Sequence, residues 1–255
     1  LLVKKEDQKA EYKRATTMMK IPLTSREISD LVMLAMGAYT PLSGFMSHAD
    51  WKSVCQDMHL ADGTFWPIPI TLSVSKDLAN SINIGDEVAL VDIDSEIMGT
   101  LKVSEKYTIN KSLECMSVYR TEDSKHPGVA KVLAQPGVNI AGDVLALSEG
   151  HFPKTYPNLF LRPTETRALF QEKGWRKIAA FQTRNPMHRS HEHLAKIAVE
   201  ICDGLLIHQV LGALKPGDIP ADVRVKAIDA LVNNYFVPGT VVQAGYPIEM
   251  RYAGP

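Results

Sequence analysis

Cationic and protonatable side chains are concentrated in the stretch FQTRNPMHRSHEHL, residues 181–194. Two arginines and three histidines fall within ten positions, directly after the apolar run KIAAF. The run predicts a buried strand, and the residues after it predict a helix with Asn185 at its cap and Pro186 at its first position. Side chains of these types bind anions such as phosphate or sulfate, and they stabilise charge that develops during a reaction.

The placement of this cluster favours an anion site. Gln182, Thr183 and Arg184 are expected in the loop between strand and helix, which in a parallel sheet lies at the carboxyl edge, where ligands bind. The free N–H groups and the positive end of the helix dipole point to the same place. Since His188 and His191 are three positions apart, they are expected near each other on the first turns of the helix. The following residues recur at helical spacing: Met187, His191, Leu194, Ala198 and Ile201.

Other chemistries need patterns that the chain does not contain. Zinc proteases use H-E-x-x-H, with ligands four residues apart, whereas His188 and His191 are three apart and His193 falls on another face. No acidic or cysteine ligand accompanies them at a suitable spacing, so no protein-bound metal is predicted. A P-loop and a G-x-G-x-x-G motif after a strand are both absent. A histidine-bearing helix start is instead typical of nucleotidyltransferases, which attack the α-phosphate of ATP and release pyrophosphate.

Composition limits the function classes further. The 255 residues are 45% hydrophobic and 22% charged, as in a globular protein of one large or two ordinary domains. The formal net charge of −1 provides no overall positive field for nucleic acid, so any anion site must be local. Cys55, Cys115 and Cys202 form no C-x-x-C pair, which indicates a reducing, cytoplasmic setting. The longest apolar stretch, residues 31–39, is far shorter than the ~20 residues of a membrane span.

Before about residue 160 the chain mixes helices and strands. One helix is predicted at TSREISDLVMLAMG, with Thr24 and Glu27 as a capping box, and another at SHADWKSVCQDM, capped by Ser47. Three strands are predicted after these helices, at residues 66–75, 85–92 and 97–109. Because no helices are predicted between these strands, they indicate an antiparallel sheet or a small barrel.

After residue 160 the predicted elements alternate. The strands RKIAAF, LLIHQVLG and GTVVQAG are separated by the helices that begin at NPMH and at PADV, with short loops between. This alternation is typical of a parallel α/β sheet. Three strands make a thin sheet and no closing helix follows MRYAGP, so we expect the chain to be the front portion of a longer protein.

The stretch QTRNPMHRSH, residues 182–191, closely resembles the Q-x-R-N-x-x-H-x-x-H signature of the ATP sulfurylase (sulfate adenylyltransferase) family. Other stretches resemble that family in the same order: GAYTPLSGFM (37–46), WPIPITLSV (66–74), HPGV (126–129), LIHQVLGALKPGDIP (206–220) and MRYAGP (250–255). The resemblance implies an α/β protein with a β-rich, PUA-like N-terminal domain (1–160). A Rossmann-like, parallel α/β nucleotidyltransferase domain (161–255) follows it, with its C-terminal part expected to be missing.

The resemblance also implies an activity. The family joins sulfate to AMP, so that ATP and sulfate give adenosine 5′-phosphosulfate and pyrophosphate, reversibly and by direct attack of sulfate on the α-phosphate. Mg²⁺ accompanies ATP or pyrophosphate. By this resemblance, Gln182 and Arg184 bind sulfate. The implied ATP-binding residues are Gln182, Thr183, Arg184, Asn185, His188 and His191. The implied catalytic residues are Thr183, Arg184, Asn185, His188 and His191.

Further expectations concern the surroundings of this site. Lys215 and Asp218, in KPGD, are expected on a mobile loop over the nucleotide, and Arg251 is expected near the edge of the site without an assigned role. Expected partners are ATP, sulfate, adenosine 5′-phosphosulfate and pyrophosphate, with neither nucleic acid nor membrane. A cytoplasmic homo-oligomer is expected.

The chain departs from the family pattern in one respect. The second family motif, G-R-D-H-A-G, completes the nucleotide and sulfate pocket, and it does not occur in the sequence. Two alternatives therefore stay open. One is a non-catalytic nucleotide- or anion-binding fragment that lacks half of the pocket, and the other is an adenylyltransferase with a different acceptor.

Overall fold

A computed structural model describes residues 1–212 and 217–251 of the chain. The chain divides into two compact units. The first unit comprises Leu1–Ala35, Tyr39–Glu149 and, at the other end of the chain, Arg251. The second comprises Met36–Ala38 and Gly150–Met250. The domain boundary expected at residue 160 stays a prediction.

The first unit is built on a mixed sheet. Its strands are β1 (Met19–Pro22), β2 (Gly44–Phe45), β3 (Ser73–Val74), β4 (Glu87–Val91), β5 (Ile97–Tyr107) and β6 (Val138–Ala146). They follow the order β1-β4-β5-β6-β2, and β3 also pairs with β6. The predicted antiparallel pairing holds for β4 with β5, but β1 joins β4 in parallel. The long connection between β1 and β4, which contains three helices, makes that parallel pairing feasible.

Two helices of the first unit, α2 and α3, begin at the predicted signals, and the others were not predicted. They are α1 (Lys5–Ala15), α2 (Ser25–Ala35), α3 (His48–Asp57), α4 (Lys76–Asn80), α5 (Lys111–Glu114), a π-helical turn at Cys115–Tyr119, and α6 (Pro127–Ala134). The Thr24 N–H donates to Glu27 Oε2 at 2.8 Å and the Glu27 N–H donates to Thr24 Oγ1 at 3.3 Å, which confirms the capping box. The Asp50 N–H donates to Ser47 Oγ at 3.1 Å, which confirms the second cap.

The predicted strand at residues 66–75 is mostly wrong. Only Ser73–Val74 pair with a neighbouring strand, and the residues before them form a loop. Pro67 and Pro69 have no N–H to give to a strand ladder, which explains why pairing begins only beyond them. The Trp66 indole N–H donates to the Ile68 carbonyl at 2.9 Å and closes the loop locally.

The second unit contains the parallel sheet that alternation predicts. Its elements are α7 (Phe152–Thr155), α8 (Pro163–Glu172), β7 (Ile178–Thr183), α9 (Arg189–Ile201), β8 (Gly204–Val210), α10 (Ala221–Tyr235) and β9 (Val241–Tyr246). The strands follow the order β7-β8-β9, and both pairings are parallel. The alternating strands and helices after residue 160 are thereby confirmed.

One apolar cluster joins the sheet of the second unit to α9 and α10. Its buried members are Ala195, Leu205, Ile207, Ile228 and Phe236. The prediction of a buried β7 is wrong, because β7 pairs only with β8 among the described strands and Ala180 is exposed. Leu194 and Ile201 on α9 are also exposed, at 55% and 64%, so the helical spacing in the sequence does not mark the packed face there.

Two further findings concern apolar helices and cysteine thiols. Within residues 1–212 and 217–251, no helix combines the length and the apolar character of a membrane span. The thiols of Cys55, Cys115 and Cys202 are free, and the first two are buried.

Candidate functional site

The carboxyl edge of the parallel sheet brings together most of the predicted site residues. The strands end there at Thr183, Val210 and Tyr246. Gln182 and Thr183 are the last residues of β7, so the prediction that they lie in the loop is wrong. Because neighbouring strand residues point to opposite faces, their side chains diverge. The Thr183 side chain is buried and the Gln182 side chain is exposed.

The Thr183 hydroxyl shapes the segment that leaves β7. It accepts a hydrogen bond from the Asn185 N–H at 3.0 Å and donates one to the Asn185 carbonyl at 2.8 Å. This local turn occupies the main chain of Asn185, so the prediction that Asn185 caps the helix is wrong. Helix α9 begins at Arg189 instead, with His188 as its N-cap residue.

The turn makes a testable contribution to stability. Thr183→Val removes both hydrogen bonds and leaves the Asn185 groups without their partner, so we expect a loss of about 1–3 kcal/mol in the free energy of unfolding. Thr183→Ser keeps the hydroxyl and is the matched control. Urea denaturation measures both variants, and a Thr183→Val protein as stable as the parent would show that the hydroxyl bonds of the turn do not contribute.

His188 and His191 form a contacting pair at the start of α9. Their ring centroids lie 3.8 Å apart, and the His188 N–H donates to His191 Nδ1 at 3.3 Å. Since Nδ1 of His191 accepts this bond, its neutral ring carries the proton on Nε2, which can donate to a ligand. Burial, and next the neighbouring His188, lower the pKa of His191. The ring of His188 has a contact of its own, because its Nδ1 lies 2.9 Å from Ser190 Oγ.

Arg184 and Asp218 meet at this edge of the sheet. Arg184 Nη1 lies 3.6 Å from Asp218 Oδ2, and the two side chains are 21% and 8% exposed. The structure therefore brings Asp218, from the predicted loop, to the predicted sulfate ligand. Lys215, the other predicted loop residue, lies outside the described residues.

Sequence reasoning missed Arg224, which is fully buried beneath the site. Its Nη1 donates to the Arg184 carbonyl at 2.7 Å, and its Nη2 donates to the Val210 carbonyl. Burial lowers the pKa of Arg224, while Tyr156 and Asp218 act in the opposite direction. A signal was present in the sequence: a cation in the first turn of a helix opposes the helix dipole, and Arg224 is in the first turn of α10.

His208 and Tyr246 lie beside Gln182 on the other face of the sheet. Gln182 pairs with His208 in the β7–β8 register, and the rings of His208 and Tyr246 stack with centroids 4.0 Å apart. Burial raises the pKa of Tyr246 to about 12, and a hydrogen bond from Gln182 acts in the opposite direction. Burial lowers the pKa of His208 to about 4. This packing is that of structural side chains, and the sequence did not predict the contact between His208 and Tyr246.

His208 predicts a specific pH dependence of stability. Its folded-state pKa of about 4 lies below the ordinary value of 6.5, so between these values the unfolded chain binds more protons. The contribution of neutral His208 to the free energy of unfolding is therefore complete above pH ~6.5. It is lost as the pH falls towards ~4, and the loss is at most about 3 kcal/mol. His208→Phe keeps the ring stack and should flatten this part of the curve of unfolding free energy against pH. An unchanged slope would contradict the assignment.

The side chains at this edge of the sheet are suited to bind an anion. Among residues 1–212 and 217–251, no group of three or more His, Cys, Asp or Glu side chains could hold a metal ion. A guanidinium, two imidazoles and the start of α9 can instead donate to the oxygens of a tetrahedral anion.

Two family models match the chain. A PUA-like domain matches residues 1–149, and a model described as ATP-sulfurylase matches residues 157–255. These matches, with the parallel sheet of the second unit, confirm the predicted fold class of a PUA-like domain followed by a parallel α/β nucleotidyltransferase domain.

Curated relatives agree with these models, and a solved structure is similar in fold. The chain is 63% identical over 248 residues to the sulfate adenylyltransferase of Syntrophobacter fumaroxidans, covering 96% of this chain and 60% of the relative. It is 58% identical over 256 residues to that of Chlorobaculum tepidum, covering 100% and 63%. A solved structure, the hexameric APS kinase from Thiobacillus denitrificans, matches with a TM-score of 0.76 and 26% identity, over 99% of this chain and 46% of that one.

The chain spans about three fifths of the length of the curated relatives it matches. Over that span the QTRN and histidine residues of the resemblance stand at one edge of a parallel sheet. From these matches, the chain belongs to the ATP sulfurylase (sulfate adenylyltransferase) family.

Proposed function

We propose that this chain forms part of a sulfate adenylyltransferase, which converts ATP and sulfate to adenosine 5′-phosphosulfate and pyrophosphate. The observation that carries the proposal is that Arg184 and the His188–His191 pair follow β7 at the carboxyl edge of a parallel sheet. The chain that contains them matches the ATP-sulfurylase family model. Ligands bind at this edge in open α/β sheets.

The reaction makes clear demands on the site. A sulfate oxygen attacks the α-phosphorus of ATP, a new P–O bond forms, and the bond to the β-phosphate oxygen breaks as pyrophosphate leaves. Because sulfate is a weak nucleophile, the protein must position it and stabilise the charge on the leaving group. No covalent enzyme intermediate is required.

The proposed roles follow from the side chains. Arg184 would hold sulfate through its planar guanidinium, together with the amide of Gln182. His191 would donate from Nε2 to phosphate oxygens, beside His188. Thr183 and Asn185 would keep the main chain of the turn in place around the reacting groups. These are the residues proposed for ATP binding and catalysis: Gln182, Thr183, Arg184, Asn185, His188 and His191.

The ion pair with Asp218 suggests how Arg184 is held before sulfate arrives. The carboxylate lies 3.6 Å from the guanidinium and keeps it near the edge of the sheet. We propose that Asp218 belongs to a loop that moves over the nucleotide, together with Lys215.

Mg²⁺, assembly and location complete the proposal. Since no carboxylate cage occurs among the described residues, Mg²⁺ would be bound mainly by the phosphate oxygens that it neutralises. The structurally similar APS kinase is hexameric, which supports a homo-oligomer. The free thiols support a reducing, cytoplasmic setting.

The reverse reaction tests this proposal. The protein at its natural length, mixed with adenosine 5′-phosphosulfate, pyrophosphate and Mg²⁺, is expected to form ATP, detected by luciferase. Omission of either substrate should abolish the signal. Failure to form ATP from this pair would refute the proposed function, and ATP formation from pyrophosphate with a different adenylate would indicate another acceptor.

A further inference from the structure

We propose that Arg224 is a positioning residue for the reaction at the carboxyl edge of the sheet. Its guanidinium fixes the main chain of Arg184 to the end of β8 and thereby sets the path of residues 184–188. This inference rests on the proposed function for its kinetic consequence, but its structural content does not depend on it.

The contacts of Arg224 join two chain segments that are distant in sequence. Nη1 donates to the Arg184 carbonyl at 2.7 Å, and Nη2 donates to the Val210 carbonyl. Thr183 is the last residue of β7 and Val210 is the last residue of β8. The guanidinium therefore links the points at which two neighbouring strands reach the site.

Packing alone does not explain why a buried arginine occupies position 224. Its side chain is fully buried, and Nε has no hydrogen-bond partner within the part of the chain that the structure describes. A buried charge with an unsatisfied donor is costly, and an apolar side chain of similar size would fill the space without that cost. The two carbonyls are bonded by separate nitrogens of one planar fork, whereas a Lys ammonium would have to reach both from a single nitrogen.

The path of the segment after β7 depends on this link. The Arg184 carbonyl belongs to the peptide that leads into Asn185, whose main chain is held by Thr183. Arg224 and Thr183 therefore bond to opposite sides of the peptide between Arg184 and Asn185, and Thr183 also bonds to the next peptide. The same segment carries the Arg184 side chain towards Asp218 and leads to His188 at the cap of α9. Loss of either restraint would change the directions of both side chains.

Two variants test the inference in the protein at its natural length. Arg224→Lys keeps the charge and loses the fork, whereas Arg224→Met keeps the volume and removes the buried charge, so it should fold. Since a misplacement of about 1 Å can cost ~10²-fold in rate, we expect either variant to lower kcat by roughly 10- to 100-fold. KM for ATP should change less than kcat, because His191 lies within α9, beyond the segment that this link restrains.

The control variant is Ile228→Val, one helical turn further along α10 in the buried apolar cluster. It loosens packing without touching the two carbonyls, so it should lower the melting temperature and leave kcat unchanged. Hydrogen exchange of the amides of residues 184–188 should be faster in both Arg224 variants and unchanged in Ile228→Val.

The outcomes separate the two proposals. Unchanged kcat with unchanged exchange at residues 184–188 in the Arg224 variants would overturn the positioning role. If the parent protein shows no sulfate-dependent activity, the proposed function fails, while the exchange measurement still decides the role of Arg224. Faster exchange in Ile228→Val as well would show that the segment responds to any loss of packing, and it would also overturn the inference.

Discussion

Arg184→Ala is expected to abolish most sulfate-dependent pyrophosphate release without unfolding the protein. The guanidinium is the one proposed sulfate ligand that carries a fixed positive charge, and loss of one preorganised donor of this kind typically costs ~10²–10³ in rate. Since its side chain is partly exposed, at 21%, the substitution creates no buried cavity. Steady-state kinetics with varied sulfate and saturating ATP measure the effect.

Arg189→Ala is the matched control for this prediction. Arg189 lies in the same cationic stretch but is exposed at the first residue of α9, so its removal should change the rate little. Arg184→Lys separates charge from geometry and should recover only part of the activity, because it cannot form two parallel hydrogen bonds to an oxyanion. If Arg184→Ala weakens only ATP binding and sulfate use persists, another residue binds sulfate.

Asp30→Ala is expected to destabilise the first unit by about 3–5 kcal/mol, because it leaves a buried guanidinium without its partner. Arg251 Nη1 donates to Asp30 Oδ1 at 2.8 Å, and the two side chains are 7% and 1% exposed. Burial acts to lower the pKa of Arg251, but the Asp30 carboxylate raises it above its ordinary range. Arg251, which was expected at the edge of the site, is thus assigned to an ion pair of the first unit. Urea denaturation followed by tryptophan fluorescence gives the free energy of unfolding.

A double variant shows whether the charge or the volume of this pair matters. Asp30→Leu combined with Arg251→Met removes both charges and keeps apolar bulk, so it should recover most of the stability that Asp30→Ala loses. A loss below about 1 kcal/mol in Asp30→Ala would instead indicate that water reaches the pair and screens it.

Local signals in the sequence predict much of the fold. The bond from Glu27 to Thr24 and the bond from Asp50 to Ser47 involve residues three apart, so nearby chemistry alone determines where α2 and α3 begin. The alternation of strands and helices after residue 160 predicts the parallel sheet. Each helix carries the chain back to the end of the sheet where the previous strand began, so the next strand runs in the same direction. The resemblance identified the family and most residues of the candidate site.

What the sequence did not predict depends on tertiary contacts or on competing local bonds. The start of α9 moves from Asn185 to Arg189 because the Thr183 hydroxyl binds the main chain of Asn185 first. Arg224 resembles an ordinary solvated helix residue until the ends of β7 and β8 are brought to it. The β1–β4 pairing joins residues far apart in sequence, and no periodicity in either strand specifies a partner.

The most direct test of the central claim is pyrophosphate release by the protein at its natural length, with ATP and Mg²⁺, in the presence and absence of sulfate. We predict release that depends on sulfate and yields one adenosine 5′-phosphosulfate for each pyrophosphate. No release above the sulfate-free background, or release without that product, would contradict the account.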